Sequence, residues 1–250
     1  MGASGTYHSL QATLQRRLTH GLEATANYTW SKALNDIPYG SGLTGGSTNQ
    51  SYVFPIYTPD YKRLDRGPAD FDRRSVFTGS YVWTIPTMSE GNMLLRTVAN
   101  GWQTMGIFQA FTGQPITITA GKDASLTGLN QDRAVYNGAS AYGGIACSAT
   151  VPHCVNYLNP AAFTVPTAGG FGNVVKGSLR GPGYFDWDAS LLRSVPLKGE
   201  TSVQFRAEYF NLINRTNLLN PTTARSSGGF GSITSANDPR IAQLSVKLAF

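Results

Sequence analysis

The sequence closes on Ile-Ala-Gln-Leu-Ser-Val-Lys-Leu-Ala-Phe, residues 241–250. Within this stretch, apolar side chains stand at every second position: Ala242, Leu244, Val246, Leu248 and Phe250. A period of two places these side chains on one face of a β-strand and Gln243, Ser245 and Lys247 on the other. The stretch therefore predicts a strand with one apolar face and one polar face.

The same alternation recurs in six earlier segments, so the sequence predicts seven strands. The other six lie near residues 9–18, 22–31, 76–85, 102–112, 185–197 and 203–209. Most of them approach ten residues, the length of a tilted strand that crosses a bilayer. The parity of the segment that begins at Trp102 is ambiguous. Apolar or small residues lie on both faces, with Trp102, Gly106, Phe108 and Ala110 on one and Met105, Ile107 and Phe111 on the other. We expect a β-bulge that reverses its faces midway.

The composition fits an all-β protein with long loops. Of the 250 residues, 41% are hydrophobic and only 14% are charged, and 28 are glycine and 13 proline. Soluble domains average about 25% charged residues, so an ordinary cytosolic enzyme and a coiled coil are both disfavoured. The apolar share is too high for a disordered chain. No apolar run reaches the roughly 18 residues of a membrane-spanning helix.

The net charge of +6 does not form a nucleic-acid footprint. The basic residues are scattered, and no reading motif accompanies them. Their densest group, Lys62 to Arg74, is interleaved with Asp65, Asp70 and Asp72. We expect these mixed charges to be solvated and to neutralise one another; binding of lipopolysaccharide phosphates is the alternative. No nucleic-acid partner is expected.

The connections between the predicted strands alternate in length. Short or moderate ones fall at 20–21, 86–100 and 197–200, and long ones at 33–72, 113–183 and 212–239. Outer-membrane barrels have short periplasmic turns, long external loops and strands that alternate apolar-out and polar-in. We therefore predict an antiparallel transmembrane β-barrel segment of about seven strands in the cell outer membrane. A soluble β-sandwich is the alternative fold.

Aromatic residues near the strand ends support a membrane setting, because barrels carry aromatic girdles at both interfaces. The predicted girdle against outer-membrane lipid comprises Tyr28, Trp30, Trp187 and Tyr209 at the outer ends and Trp83 and Trp102 at the inner ends.

Seven strands do not complete a barrel. Single-chain bacterial barrels have an even number of strands, at least eight, and an open sheet edge in lipid leaves backbone groups unpaired. The residues after Met1 also lack the basic and apolar regions of a signal peptide. We expect residues 1–250 to be the C-terminal part of a longer barrel.

A series of motifs resembles the C-terminal barrel portion of the Oar-like TonB-dependent receptors. They are Tyr28-Thr29-Trp30-Ser31-Lys32, Asp72-Arg73-Arg74, Gly113-Gln114-Pro115, Asn159-Pro160-Ala161-Ala162-Phe163, Gly181-Pro182-Gly183, Asp186-Trp187-Asp188-Ala189-Ser190-Leu191, Gln204 to Asn214 with Asn217, Phe230 to Thr234, and Pro239-Arg240. The resemblance implies a barrel of about 22 strands in a Gram-negative-type bacterium. It also implies an N-terminal plug and uptake powered through TonB. Residues 1–250 contain no plug, no TonB-contacting segment and no carboxypeptidase-regulatory-like module.

The terminal aromatic residue resembles the signal that the barrel-assembly machinery reads. Phe250 follows Leu244, Val246 and Leu248 on the apolar parity, and such a strand can pair with an exposed sheet edge. A final side chain that merely faces lipid is the alternative.

The two cysteines, Cys147 and Cys154, lie in the second long loop, which the topology places outside the cell. In an oxidising compartment such a pair predicts a local disulfide. A zinc site with His153 is the alternative, but it has too few ligands.

Four charged residues fall on the polar parity and should face the lumen: Asp186, Asp188, Arg206 and Glu208. They either contact a plug or line a solvated lumen. Arg16 and Arg193 fall on apolar parities near inner strand ends, where their side chains can snorkel to the interface.

The sequence contains none of the motifs of hydrolases, zinc proteases or nucleotide-binding enzymes. We therefore expect no catalysis and no cofactor. The expected function is binding and uptake of an external ligand, with the three long loops supplying contacts. A surface adhesion or structural protein anchored by the same barrel is the alternative.

Overall fold

A computed structural model of the chain describes residues 4–36, 64–90, 92–128, 132–148, 151–197 and 199–250. In chain order the elements are β1 (Gly5–Thr19), β2 (Leu22–Asn35), β3 (Gly67–Pro68), β4 (Ser75–Thr84), α1 (Met93–Ala99), β5 (Trp102–Phe111), β6 (Pro115–Ile116), β7 (Val135–Tyr136), β8 (Val155–Asn156), a 3₁₀ helix (Pro160–Ala162), β9 (Phe163–Thr164), β10 (Leu179–Arg180), β11 (Tyr184–Pro196), β12 (Ser202–Phe210), β13 (Ser232–Ile233) and β14 (Ile241–Ala249). Among the helices described, none is long and apolar enough to cross a membrane.

Seven long strands form one antiparallel sheet in the order β1-β2-β4-β5-β11-β12-β14. Each long strand pairs with the next long strand along the chain, and the two-residue β3 adds to β2. The sheet confirms the predicted all-β antiparallel fold, and all seven predicted strands are present. Their observed ends differ from the predicted ones by a few residues.

The register joins the apolar residues of neighbouring strands into one continuous face. Leu14 stands opposite Ala26, and Ala26 stands opposite Gly79. Gly79 is opposite Phe108, which is opposite Trp187. Residues directly opposite each other in an antiparallel pair project from the same face of the sheet. One face is thus apolar across the long strands, while the other carries most of the polar side chains.

The bulge expected within β5 is wrong. From Trp102 to Phe111, the strand pairs with β11 without a register shift, and its pairing with β4 is equally regular. The parity of the segment is ambiguous for a different reason: Met105, Ile107 and Phe111 are apolar residues on the face that carries most of the polar side chains.

A register shift does occur between Arg16 and Thr19, next to the first short turn. His20 and Gly21 both have positive φ, at 52° and 78°. Two consecutive positive φ values are typical of the type I′ hairpin turn, whose twist matches that of the flanking strands. The predicted tight turn at 20–21 is therefore confirmed.

Glycines on the apolar face make room for aromatic rings from adjacent strands. A Cβ at Gly79 would stand 2.4 Å from Cε2 of Phe108, and one at Gly106 would stand 2.6 Å from Cε1 of Tyr81. The Phe108 ring also lies 6.2 Å from the Phe77 ring and 6.3 Å from the Trp187 ring. Since the rings occupy the space that side chains at these glycines would need, the glycines contribute to packing within the sheet.

The long connections do not behave as independent loops. Described residues of 64–74, 112–183 and 211–240 assemble into one body, which we call the loop lobe. Its apolar core includes Ile116, Ile118, Ala134, Leu158, Phe163 and Phe230. Short strand pairs brace it: β6 with β10, β7 with β9, and β8 with β13. Residues 37–63 of the first predicted loop lie outside the described residues.

Candidate functional site

The loop lobe is joined to the sheet through a buried carboxylate. The side chain of Asp72 is inaccessible to solvent, and its Oδ1 accepts a hydrogen bond from the Ala33 backbone N–H at 2.7 Å. Its Oδ2 pairs with the Arg180 guanidinium and lies 3.4 Å from Nε of Arg74. Arg180 also donates to the backbone carbonyls of Asp72 and Gly113. One carboxylate thus fixes the junction of β2 with two separate loops.

A second buried pair stands inside the lobe. Nη2 of Arg133 donates to Oδ1 of Asp65 at 2.9 Å, and the Arg133 side chain is fully buried. Burial raises the pKa of the Asp65 carboxyl, although the charge of Arg133 opposes that shift. Lys176 is nearby and donates to Oδ1 of Asn35 at the end of β2. Burial lowers the pKa of the Lys176 ammonium.

These contacts correct the interpretation of residues 62–74 as solvated, mutually neutralising charges. Asp65 and Asp72 are buried, and each pairs with an arginine far away in the chain. Arg73 lies over the Phe111 ring, with Cζ 4.7 Å from the centroid, and donates to the Thr112 carbonyl at 3.0 Å. The group anchors the lobe because its partners are brought from other loops. Lys62 and Arg63 lie outside the described residues.

Two motifs that are distant in sequence meet beside this junction. A Cβ at Gly113 would stand 1.8 Å from the carbonyl oxygen of Gly181. The Gly181 N–H donates to the Gln114 carbonyl at 2.8 Å, and Leu179 and Arg180 pair with Ile116 and Pro115. Only glycine allows so close a backbone approach, so the Gly-Gln-Pro and Gly-Pro-Gly motifs are two halves of one contact.

Two asparagines tie the loop at 211–240 to β11. The side-chain amide of Asn217 makes two hydrogen bonds to the backbone of Phe185, at 3.1 and 2.8 Å. The Asn211 N–H donates to Oδ1 of Asp188 at 2.9 Å, and Oδ1 of Asn211 accepts from the Arg215 N–H. The loop therefore starts from a fixed position at the end of β12.

The predicted lumen-facing charges all lie on the polar face. Asp186 stands opposite Gln109, Asp188 opposite Ile107, and Glu208 opposite Gln243. Nη1 of Arg206 lies 3.5 Å from Oε1 of Glu208, and both side chains are partly exposed. Oδ2 of Asp186 accepts a hydrogen bond from the Tyr184 hydroxyl at 3.2 Å.

Two cavities adjoin these charges. The outer one, of about 540 Å³, lies between the lobe and the ends of β11 and β12. Its lining includes Tyr184, Asp186, Asn217, Asn237 and Asp238. The inner one, of about 320 Å³, lies along the polar face over Val82, Met105, Ile107, Ser190 and Glu208. Sequence reasoning missed both, because their walls come from segments that only the register brings together.

The predicted girdle residues all project from the apolar face. The Tyr28 hydroxyl lies 3.1 Å from Oγ of Ser75, and Nε1 of Trp102 donates to the Val98 carbonyl at 2.8 Å. Trp30 and Trp83 are each about 40% exposed. Arg193 lies over the Trp102 ring at 5.3 Å and donates to the Thr97 carbonyl near the inner end of the sheet. Trp187 and Tyr209 lie on the same face, opposite Phe108 and Ala189.

The residues proposed as an assembly signal lie on the edge strand β14. Leu244, Val246 and Leu248 stand opposite Ala207, Phe205 and Val203, and Phe250 follows the last paired residue. The Phe250 side chain is 97% exposed. Within the described residues, the other edge of β14 has no strand partner.

The structure joins Cys147 to Cys154 in a disulfide, with Cα atoms 5.7 Å apart. His153 between them has a positive φ of 57°. Among the described residues, no group of three His, Cys, Asp or Glu side chains is arranged to hold a metal ion.

Residues 1–243 match a family described as "Outer membrane beta barrel domain". Comparisons with curated proteins and with solved structures give no match.

Proposed function

The chain belongs to the outer membrane beta barrel domain family, and from this membership we propose that it forms part of the barrel wall of a TonB-dependent receptor. This membership indicates that the protein is located in the cell outer membrane. The proposed activity is binding and uptake of an external ligand, without chemical conversion of that ligand.

The motifs shared with the Oar-like receptors support the finer assignment. They are not scattered in space: Gly113 contacts Gly181, Asn217 holds Phe185, and Asp72 pairs with Arg180. A sheet that served only as an anchor has no need for loops fixed to its end by buried polar contacts. Binding sites are commonly placed on loops that a rigid scaffold holds in position.

One observation carries the proposal: the outer cavity opens between the loop lobe and the polar face of β11. Its volume, about 540 Å³, falls within the range of small-molecule sites, about 300–1,000 Å³. One wall is the polar face of the sheet, which we take as the lumen side, and the other comes from the loop at 211–240, which we expect to lie outside the cell. This is the position at which a ligand entering from outside first meets the lumen.

The sheet edges support a barrel completed by further strands. β1 and β14 run in the same direction because an even number of antiparallel steps separates them. Direct closure would pair them in parallel, whereas an odd number of additional strands allows antiparallel pairing throughout and gives an even total. We propose that these strands, the plug and the TonB-contacting segment belong to the same protein.

The proposal is tested on the intact protein as the cell produces it. It is purified in detergent and titrated with the periplasmic domain of TonB from the same bacterium. We expect saturable binding, lost when the TonB-contacting segment is deleted. If the intact protein does not bind TonB, the transporter assignment is overturned in favour of an adhesion or structural anchor.

A further inference from the structure

The two cavities form one groove along the polar face. Asp188 and Phe210 line both of them, so the outer and inner cavities adjoin at these two residues. The outer part is bordered by carboxylates, amides and a phenol, and the inner part mainly by apolar side chains. The groove thus changes along its length from acidic to apolar.

The outer part holds negative charge that the described residues do not balance. Within this part of the chain, Asp186 and Asp188 take part in no ion pair. The Tyr184 hydroxyl and the Asn211 N–H, both neutral, donate to them. Oδ1 of Asp186 is inaccessible to solvent and accepts no hydrogen bond. The Asp186 carboxylate thus faces the cavity with one oxygen that lacks a donor among the described residues, and this arrangement favours a cationic partner.

In the described ranges, the other charges that face the groove do not supply this cation. Arg206 lies beside Glu208, so their charges offset each other. Asp238 also lines the outer cavity, and Glu23 stands opposite Val82 at the inner end. These carboxylates add to the negative potential.

The inner part offers apolar surface on a face that is otherwise polar. Ile107 is 53% exposed and Val82 is 38% exposed, and Met105 lies beside them on the same strand face. A ligand that covers this apolar surface removes it from water, which favours binding. Oγ of Ser190 is inaccessible to solvent and has no hydrogen-bond partner in the described residues.

We propose that this groove binds a small solute that carries a cationic group and an apolar body. The cation lies at Asp186 and Asp188, and the apolar body extends over Val82, Met105 and Ile107. The proposal rests on the proposed function, since it takes the polar face to be the side along which the ligand travels. It adds the chemical class of that ligand.

The first test uses three probes of one shape: phenylbutylamine, phenylbutanol and phenylbutyrate. Each is titrated by calorimetry into the intact protein in detergent, and protein-free detergent gives the blank. We expect the amine to bind about tenfold more tightly than the alcohol, because the amine makes one charge-assisted contact that the alcohol lacks. The carboxylate probe should bind most weakly. Equal affinities for the amine and the alcohol would overturn the proposal, and this comparison needs no variant.

The second test places the cation. The double variant Asp186→Asn with Asp188→Asn keeps the shape and removes both charges, so it should abolish the preference for the amine and leave alcohol binding unchanged. Glu200→Gln removes one carboxylate charge in the exposed turn before β12 and should preserve the preference. If the double variant still prefers the amine tenfold, the assigned position is wrong.

The third test places the apolar body. Ile107→Ser should weaken the amine and the alcohol by the same factor, several-fold. Ile145→Ser, at a position in the lobe that is 85% exposed, should change neither. Unaltered binding to Ile107→Ser would contradict the proposed orientation. TonB binding is measured on the same preparations, so loss of amine binding with TonB binding retained overturns only the ligand class.

Discussion

Asp72 and Arg180 are separated by 108 positions in the chain, yet their side chains pair at the junction of the loop lobe with the sheet. Asp72 directly precedes the arginines that lead into β4, and Arg180 ends the short strand before β11. Because the Asp72 side chain has no contact with solvent, the pair determines how one loop is placed relative to another. The rigidity of the lobe depends on such long-range contacts.

Arg180→Ala should loosen the lobe while leaving the sheet folded. Among the described residues, the substitution leaves the buried Asp72 side chain with the Ala33 N–H and the more distant Arg74. Breaking a buried pair costs about 3–5 kcal/mol. Limited proteolysis in detergent should cut residues 113–183 many times faster than in the unmodified protein. Lys122→Ala removes an exposed cation from the same lobe and should have no effect. Equal cleavage rates for the two variants would contradict the role of Arg180.

Gly79→Ala should destabilise the sheet, since its Cβ would fall on the Phe108 ring. Overpacking of this kind costs about 1–3 kcal/mol. The midpoint of heat-induced loss of the folded band on a gel should fall. Gly228→Ala, where a Cβ would meet nothing within 4 Å, is the matched control. In the double variant Gly79→Ala with Phe108→Ala, most of the clash should be removed, so the midpoint should fall by less than the sum of the two single shifts. Strictly additive shifts would contradict a clash between these two residues.

Tyr157 should make the lobe sensitive to alkali. Burial, with a smaller contribution from Tyr142, raises the pKa of Tyr157 to about 12. Its hydroxyl donates to the Arg180 carbonyl at 2.9 Å. An unfolded tyrosine titrates near pH 10, so the folded state holds the proton more tightly. This contribution to stability is fully present below about pH 10 and is lost as the pH rises through 12.

The measurement is tyrosinate absorbance during alkaline titration of the intact protein. Subtracting the titration curve of Tyr157→Phe from that of the unmodified protein should leave one tyrosine that ionises near pH 12. This ionisation should coincide with opening of the loop lobe. Tyr7→Phe, at an exposed position in β1, should leave the late step in place. If the ionisation step near pH 12 is still present in Tyr157→Phe, the step belongs to another residue.

Deleting Phe250 should lower the amount of folded protein in the outer membrane. We expect this because we propose Phe250 as part of the signal that the assembly machinery reads on β14, a strand that can pair with an exposed sheet edge. The readout is the heat-modifiable band from membranes of cells that express the intact protein. Phe250→Tyr keeps an aromatic ring at the end of the strand and should assemble normally. Undiminished assembly after the deletion would leave Phe250 without this role.

The sheet was predictable because its signal is local. Within each strand, apolar residues recur at every second position, as at Leu244, Val246 and Leu248. The face of a membrane barrel that contacts lipid is apolar along every strand, so the pattern repeats. Where local apolar residues stand on both faces, the prediction failed: Met105 and Ile107 led to a bulge that does not exist. The helix Met93–Ala99 in an inner connection was also not predicted.

The loop lobe and the groove were not predictable for a physical reason. Asp65 and Asp72 look like surface charges in the sequence, because nothing near them indicates that Arg133 and Arg180 will cover them. Apolar residues such as Ile118 and Phe230 build a core across two loops without any periodic pattern. The four charges on the polar face were identified from parity, but the cavities beside them depend on side chains from different strands and loops.

The orientation of the two faces is tested most directly by a nitroxide scan of β14 in the intact protein reconstituted into lipid bilayers. Single cysteines are introduced at positions 242 to 249, spin-labelled, and measured with oxygen, which enriches in lipid, and with a water-soluble nickel complex. We predict oxygen-accessibility maxima at Ala242, Leu244, Val246 and Leu248 and minima at Gln243, Ser245 and Lys247. Accessibility to oxygen without this alternation, or with the opposite phase, would contradict a lipid-facing apolar side.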